Sequence, residues 1–284
     1  MYGIRIRLGK GVTRALALTI ALIAAFSTIS AFADDHSPPL DHAPLGHTRL
    51  PHVADRLAAH QPVTIIAFGS SSTEGIGASS PAATYPSRLL ADLTADLPPR
   101  QRIIVLNQGK GGDDADDMAR RLPAVIAQHP DLIIWQTGSN DPLRNVPLDR
   151  FVQETIAGVQ AIRAAHIDVM LMGPQLCHAL DGKATTSAYR HALRAIGIGM
   201  GVPVIHRYDL MQSWLATGVL TRAQMLSPDG LHMADGGYAK LADAVALEIL
   251  RRTEPQHVAM DTASDQTARK LSLPATAPGR SDAF

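Results

Sequence analysis

The sequence predicts an α/β protein with a five-stranded, doubly wound parallel sheet that is covered by helices on both faces. Short runs of β-branched and aliphatic residues recur along the chain, and such runs suit strands that are buried on both faces. Longer stretches of helical pattern separate these runs. Strands that alternate with helices pair in parallel, because each crossover returns the chain to the same edge of the sheet.

Five strands and five main helices follow from this pattern. The predicted strands cover residues 63–68, 102–106, 132–135, 169–172 and 203–205. The predicted helices cover residues 85–96, 114–128, 148–165, 185–200 and 236–252. In an open parallel sheet, ligands bind at the carboxyl ends of the strands.

The first 33 residues form a predicted secretory signal peptide. A basic segment precedes the apolar run 15–29, and Ala31 and Ala33 supply the small residues that a signal peptidase reads. We expect cleavage after Ala33 and export to the periplasm or the medium. An uncleaved anchor is the alternative, but the stretch 15–33 contains Ser and Thr and is marginal for a span of about 20 residues. We therefore expect no stable membrane insertion after cleavage.

The segments on either side of the core differ in composition. Residues 34–61 are rich in Pro and His, which predicts a solvated leader that ends in a short amphipathic helix. Metal capture by these histidines is less favoured, because none of them has the short spacing of a zinc site. Residues 254–284 lack apolar periodicity and predict a disordered tail. The folded domain is therefore expected at 62–253.

Charge and cysteine content exclude several partners. Residues 1–33 hold four of the 26 basic residues and none of the 26 acidic ones, so the exported chain has 22 basic against 26 acidic residues, a net charge of −4. This balance argues against nucleic acid as a partner. Cys177 is the only cysteine, so an internal disulfide is impossible.

Candidate catalytic side chains follow the predicted strands. Three serines at 70–72 follow the first strand, a glycine-rich segment at 107–113 follows the second, and the polar segment 137–141 follows the third. Each alone is typical of a turn or a helix cap. Far along the chain, His232 comes three residues after Asp229. A serine at a strand end, a distant histidine and an acid that can hold that histidine are the parts of a nucleophilic hydrolase.

Four sequence blocks resemble those of the SGNH hydrolases, also called GDSL lipases and esterases. The family's first block is Gly-Asp-Ser-(Leu or Ile)-Thr-x-Gly. The matching blocks here are Gly69-Ser70-Ser71-Ser72-Thr73-Glu74-Gly75; Asn107, Gly109, Gly112 and Asp113; Gly138, Asn140 and Asp141; and Asp229 with His232. They occur in family order over residues 69–232. The resemblance implies a three-layer αβα, flavodoxin-like sandwich with a five-stranded parallel sheet.

The same resemblance implies a role for each site residue. Ser71 would be the nucleophile, His232 the general base and Asp229 the acid that fixes the imidazole tautomer. The oxyanion hole would consist of the Ser71 and Gly112 N–H groups and the Asn140 amide. Glycine is expected at 112 because the backbone must approach the substrate closely. Catalysis would need no cofactor and no metal.

Some residues depart from the family pattern or remain open. Ser70 stands where the family has Asp, and Ser72 stands where it has Leu or Ile; Asp229 still supplies the triad acid. Cys177 and His178 follow the fourth strand and are candidates for substrate binding, although a buried thiol is an equal alternative for Cys177. The acidic cluster at 113–117 predicts a capped helix start in preference to a metal site.

The predicted activity is hydrolysis of carboxylic esters through an acyl-enzyme. Short acyl esters or O-acetyl esters of a glycan or a small alcohol are favoured, because no long apolar lid segment is visible and the loops facing the cleft are short. An acyltransferase with the same triad is the first alternative. A non-catalytic glycan-binding protein is the second, and the complete triad set argues against it.

Overall fold

The computed structural model describes residues 48–183 and 185–254. The predicted signal peptide and the predicted tail beyond Glu254 lie outside these residues, as does most of the predicted leader. Within the described ranges, no helix is long and apolar enough to cross a membrane.

Five parallel strands form one sheet in the order β2-β1-β3-β4-β5. The strands are β1 (Val63–Gly69), β2 (Ile103–Gly109), β3 (Leu132–Gln136), β4 (Asp168–Met172) and β5 (Val204–Ile205). All four pairings are parallel, which confirms the predicted α/β fold class. Strand β2 is longer than predicted, because it pairs with β1 as far as Gly69 and Gly109.

Eleven α-helices lie in the described part of the chain. They are α1 (Pro51–Ala58), α2 (Ser71–Glu74), α3 (Tyr85–Asp96), α4 (Ala115–Ile126), α5 (Asp141–Arg144), α6 (Leu148–Ala164), α7 (His178–Asp181), α8 (Thr186–Met200), α9 (Arg207–Ala216), α10 (Arg222–Met225) and α11 (Asp235–Thr253). The five predicted helices correspond to α3, α4, α6, α8 and α11. The ten-residue helix α9 was not predicted, because few of its side chains are buried and its sequence has no clear apolar stripe.

Alternate residues of the central strands face two separate apolar layers. Ile65 and Ala67 of β1 pack in a cluster with residues of α3 and α11, whereas Ile66 and Phe68 pack in a second cluster with residues of α4, α6 and α8. Strand β3 alternates in the same way. The two clusters make a three-layer sandwich, and burial on both faces explains why the strands read as continuous apolar runs.

Helix α1 belongs to the packed region. Leu50 and Val53 are buried in the first apolar cluster, and the Val53 N–H donates to Asp168 Oδ2 at 2.9 Å. The amphipathic helix expected at the end of the leader is therefore present, and it lies against the sheet. Packed residues begin before position 62, where the sequence placed the start of the domain.

Candidate active site

Ser71 lies at the carboxyl end of β1, where the chain turns sharply into helix α2. Ser70 is extended, Ser71 is the first helical residue, and Gly75 ends the helix with a φ of 105°. A residue at the first helical position has no intrahelical acceptor for its N–H. The Ser71 N–H donates to no acceptor among the described residues, so it is available to a ligand in front of the turn.

Asp229 organises the turn that carries His232. Its Oδ1 atom accepts hydrogen bonds from Ser227 Oγ at 2.6 Å and from the N–H groups of Leu231 and His232 at 2.9 Å each. Desolvation alone would raise the pKa of Asp229, but these hydrogen bonds and the His232 side chain outweigh it and hold the pKa well below its ordinary value. Asp229 is therefore a carboxylate throughout the physiological pH range.

Ser71, His232 and Asp229 form a continuous hydrogen-bonded set. His232 Nδ1 lies 2.6 Å from Asp229 Oδ2, and His232 Nε2 lies 3.0 Å from Ser71 Oγ. A carboxylate can only accept, so the proton of a neutral imidazole belongs on Nδ1. Nε2 then accepts the Ser71 hydroxyl proton, which is the geometry of a serine activated by a base.

Gly112 lies in a loop after β2 that is tied to the serine turn. The Gly111 N–H donates to Glu74 Oε2 at 2.7 Å, and Asn107 Nδ2 donates to the Glu74 carbonyl at 3.3 Å. Gly112 has a φ of 82°, and an added Cβ would meet no protein atom within 4 Å. The positive φ therefore explains why position 112 is a glycine, whereas no neighbouring protein atom would clash with a larger side chain there.

Asn140 and Asp141 bring the third loop to the same edge of the sheet. Asn140 Nδ2 donates to the Asp113 carbonyl at 2.8 Å, which uses one of its two amide hydrogens. Asp141 is fully buried, and its Oδ1 accepts from the Ala115 N–H at 2.9 Å. Burial raises the pKa of Asp141 to about 6 despite that hydrogen bond.

The acidic cluster at 113–117 begins helix α4, as predicted. The Asp114 side chain accepts from the Asp117 N–H at 3.1 Å, and the two residues form a reciprocal capping box. Arg144 lies against both carboxylates. Among the described residues, no group of three or more His, Cys, Asp or Glu side chains could hold a metal ion.

The two candidate substrate-binding residues have different surroundings. Cys177 is fully buried, and burial raises the pKa of its thiol. Its side chain therefore offers no surface to a substrate, which favours the alternative of a buried thiol. His178 is exposed and lines a cavity of about 850 Å³ together with Gly77 and Ser227. Ser71 does not line this cavity.

The cavity adjoins the histidine turn. A Cβ on Gly77 would lie 3.0 Å from His232 Cβ, and the Ser227 N–H donates to the His232 carbonyl at 2.9 Å. Two residues of the cavity wall therefore pack around His232.

Sequence reasoning missed three polar residues below the cleft, namely Gln136, Gln175 and Arg207. All three are buried. Arg207 hydrogen-bonds directly to Gln175, and Ser139 links Gln136 to Gln175. Gln136 is the last residue of the apolar strand β3, and Gln175 follows Gly173-Pro174 after strand β4. A polar residue at the end of an apolar strand was the only feature of the sequence that could have indicated these two residues. Arg207 had no such feature, because it begins the unpredicted helix α9.

The family model described as the Non-GDSL lipase-like family matches residues 41–252. The chain belongs to this family. The match confirms the relationship to SGNH hydrolases that the four blocks indicated, and the enzyme class expected from them, a serine ester hydrolase.

The chain is similar in sequence to a known esterase and similar in fold to two esterases of solved structure. An arylesterase from Vibrio mimicus is 25% identical over 169 residues, which are 59% of this chain and 79% of the arylesterase. A variant of an acetyl xylan esterase from Geobacillus stearothermophilus is 24% identical with a TM-score of 0.57, covering 66% of this chain and 94% of that one.

The second structure is a two-domain esterase active on acetylated mannans, 19% identical with a TM-score of 0.61. The match covers 74% of this chain and 54% of that one, so this family member spans about half the length of that esterase. At these identities the structures establish the shared fold.

Proposed function

We propose that the protein is an exported serine esterase that uses Ser71 as nucleophile, His232 as general base and Asp229 as the residue that orients His232. The observation that carries this proposal is the pair of contacts made by the imidazole. Nε2 lies 3.0 Å from Ser71 Oγ, and Nδ1 lies 2.6 Å from Asp229 Oδ2. Both distances are within the range needed for proton transfer and for fixing the tautomer.

The reaction proceeds in two halves. Ser71 Oγ attacks the acyl carbonyl carbon while His232 Nε2 takes the hydroxyl proton, and the imidazolium is stabilised by Asp229. His232 then gives this proton to the alcohol oxygen as the ester bond breaks, which leaves the acyl group on Ser71. Water attacks the acyl-enzyme with His232 again as base, and the carboxylic acid and free Ser71 are released.

Three donors are suited to the negative oxygen of the tetrahedral intermediate. They are the Ser71 N–H, the Gly112 N–H and the second amide hydrogen of Asn140. Neither backbone N–H has an acceptor in the described part of the chain. The bond from Asn140 to the Asp113 carbonyl holds the amide in place without using both of its hydrogens. Donors that are fixed before the reaction lower the barrier most effectively.

The proposed substrates are short acyl esters, in particular O-acetyl esters of a glycan or a small alcohol. The acetyl xylan esterase and the esterase active on acetylated mannans have the same fold. The cavity beside His232 offers room for the alcohol part of the substrate, and His178 is an exposed polar residue on its wall. Its position supports His178 as a substrate-binding residue.

Turnover by the purified protein tests the proposal directly. We expect hydrolysis of p-nitrophenyl acetate and butyrate, weaker hydrolysis of a long-chain ester, and release of acetate from acetylated xylan or mannan. The Ser71→Ala variant should have none of these activities. A folded wild-type protein that hydrolyses no ester would overturn the proposal.

Export is proposed from the amino-terminal segment of the sequence. Expression from the natural start in a bacterial host, followed by fractionation and amino-terminal sequencing, should give a mature chain that begins at Asp34. Recovery of an uncleaved chain in the membrane fraction would favour an anchor.

A further inference from the structure

A chain of buried polar side chains runs below the cleft and joins the serine turn to the histidine turn. Its members are Ser70, Gln136, Ser139, Gln175 and Arg207, and none is more than 5% exposed. Buried polar groups that are fully connected hold a unique arrangement, because a displaced partner leaves its neighbour unpaired in an apolar environment.

At the serine end, Gln136 supports the turn from below. Gln136 Oε1 accepts from the Ser70 N–H at 2.9 Å, from Ser70 Oγ at 3.1 Å and from Thr73 Oγ1 at 3.2 Å. A Cβ on Gly69 would lie 2.7 Å from that oxygen, so glycine at 69 leaves the space that Gln136 occupies. The single amide oxygen thus fixes the residues on both sides of Ser71.

In the middle, Arg207 connects two loops. Its Nε donates to the Gly173 carbonyl at 3.0 Å, and its Nη2 lies 2.7 Å from Gln175 Oε1 and 3.3 Å from Ser139 Oγ. Ser139 Oγ accepts from Gln136 Nε2 at 3.3 Å and donates to Gln175 Oε1 at 3.0 Å. The guanidinium therefore joins the loop after β3 to the loop after β4.

At the histidine end, Gln175 reaches the turn that carries the base. Gln175 Nε2 donates to the Leu231 carbonyl at 3.2 Å, one residue before His232. The hydrogen-bonded path from Ser70 to Leu231 is thereby complete.

Arg207 is buried without a carboxylate partner in the part of the chain that the structure describes. It is fully buried, its hydrogen-bond acceptors among the described residues are the neutral oxygens of Gly173, Ser139 and Gln175, and its Nη1 atom has no partner there. Burial of an unpaired charge costs stability unless its hydrogen bonds are good. A methionine of similar length would avoid that cost, so stability alone does not account for an arginine here.

We propose that Gln136, Gln175 and Arg207 are positioning residues that set the distance between Ser71 and His232. Ser70 stands at the second position of the first block, and both its N–H and its hydroxyl are held by Gln136 Oε1. The inference rests on the proposed function of Ser71 and His232. The inference goes beyond that function because it assigns the alignment of Ser71 with His232 to other side chains. These side chains act through the serine turn and the histidine turn and not by contact with the substrate.

Two substitutions break the path at its two ends. Gln136→Met removes the acceptor below Ser70, and Gln175→Met removes the donor to Leu231. Gln136→Glu keeps the acceptor below Ser70, and its second oxygen can accept from Ser139 Oγ in place of the lost amide donor, so this variant serves as the conservative rescue. Gln101→Met is the matched control, because Gln101 is also a buried glutamine and its amide donates to the Gln61 carbonyl, outside this network.

Two readouts separate alignment from folding. The first is kcat and KM for p-nitrophenyl acetate, corrected for the number of active sites and accompanied by the Tm. The second is the rate at which a fluorophosphonate labels Ser71, which needs alignment with His232 but no ester substrate. We expect both methionine variants at the network to lose about tenfold to a hundredfold in kcat and in labelling rate, with KM little changed.

The conservative variant Gln136→Glu and the control variant Gln101→Met should behave differently from the two methionine variants of the network. Gln136→Glu should recover most of the lost rate, and Gln101→Met should lower the Tm without changing either rate. Equal labelling rates in the wild type and both methionine variants would overturn the positioning role alone. A wild-type protein that neither turns over esters nor labels at Ser71 would overturn the proposed function as well.

Discussion

Ser71 Oγ lies 3.0 Å from His232 Nε2, although 161 positions separate the two residues in the chain. The first residue follows strand β1, which lies between β2 and β3, and the second lies in the turn before helix α11. Strand β1 brings Ser71 to the carboxyl end of the sheet, where the ligands of parallel sheets bind. His232 comes after α9 and α10 and not directly after a strand, and its turn is held to the loop after β4 by the hydrogen bond from Gln175 Nε2 to the Leu231 carbonyl. The contact between Ser71 and His232 is also the one on which the proposed chemistry depends.

The three adjacent serines should differ sharply in their effect on turnover. Ser71→Ala should abolish hydrolysis of p-nitrophenyl acetate, since only this hydroxyl contacts His232. Ser70→Ala and Ser72→Ala should retain a measurable part, because the Ser70 hydroxyl is directed to Gln136 and the Ser72 hydroxyl is buried with no partner among the described residues. Loss of turnover in Ser70→Ala alone would show that the nucleophile has been assigned wrongly.

Asp229→Asn should lower kcat far more than Ser227→Ala. An amide at 229 can present a donor to Nδ1, which favours the wrong imidazole tautomer, and a loss of about 10⁴ in kcat is typical of such a change. Ser227→Ala removes one of several hydrogen bonds to Asp229, whose side chain is 46% exposed, so water can replace the hydroxyl. Steady-state kinetics of both variants test this, and similar losses would contradict it.

Gly112→Ala should lower both stability and rate. Alanine at a φ of 82° costs about 1–2 kcal/mol, and any relaxation of the loop moves the N–H that is proposed to bind the oxyanion. A loss of roughly 10²–10³ in kcat is expected for a displaced donor. Gly218→Ala is the matched control, because Gly218 also has a positive φ and open space around it, outside the site. It should lower the Tm and leave kcat unchanged.

Asp141 should make stability depend on pH between about 4 and 7. Its pKa is about 6 in the folded protein and near the ordinary value when unfolded, so the folded state binds the proton more tightly. The stabilisation is complete below the unfolded pKa and is lost as the pH rises through 6, a change on the order of 3 kcal/mol.

Thermal unfolding of Asp141→Asn from pH 4 to pH 8 tests this dependence. The asparagine variant should gain stability relative to the wild type as the pH rises, since it has no charge to bury. Asp149→Asn, at the exposed start of α6, is the control for removal of a carboxylate outside the buried site. A constant difference between Asp141→Asn and the wild type would contradict the raised pKa.

The sequence by itself determined the fold class, the main elements and the family. Helix α3 has the bounds that its pattern predicted, and β1, β3 and β4 differ by one residue at an end, because local burial and helix periodicity are visible in single segments. The four blocks likewise identified the hydrolase, since chemistry of this kind needs particular residue types at strand ends.

Only the tertiary structure decided which polar groups meet. Arg207 gives no local signal, and Gln136 and Gln175 are single polar residues after apolar runs; their network exists because the loops after β1, β3 and β4 converge below the cleft. The structure likewise shows that Cys177 is fully buried, which its sequence context left open. Long-range hydrogen bonds and burial depend on packing between distant segments, and no pattern within one segment encodes them.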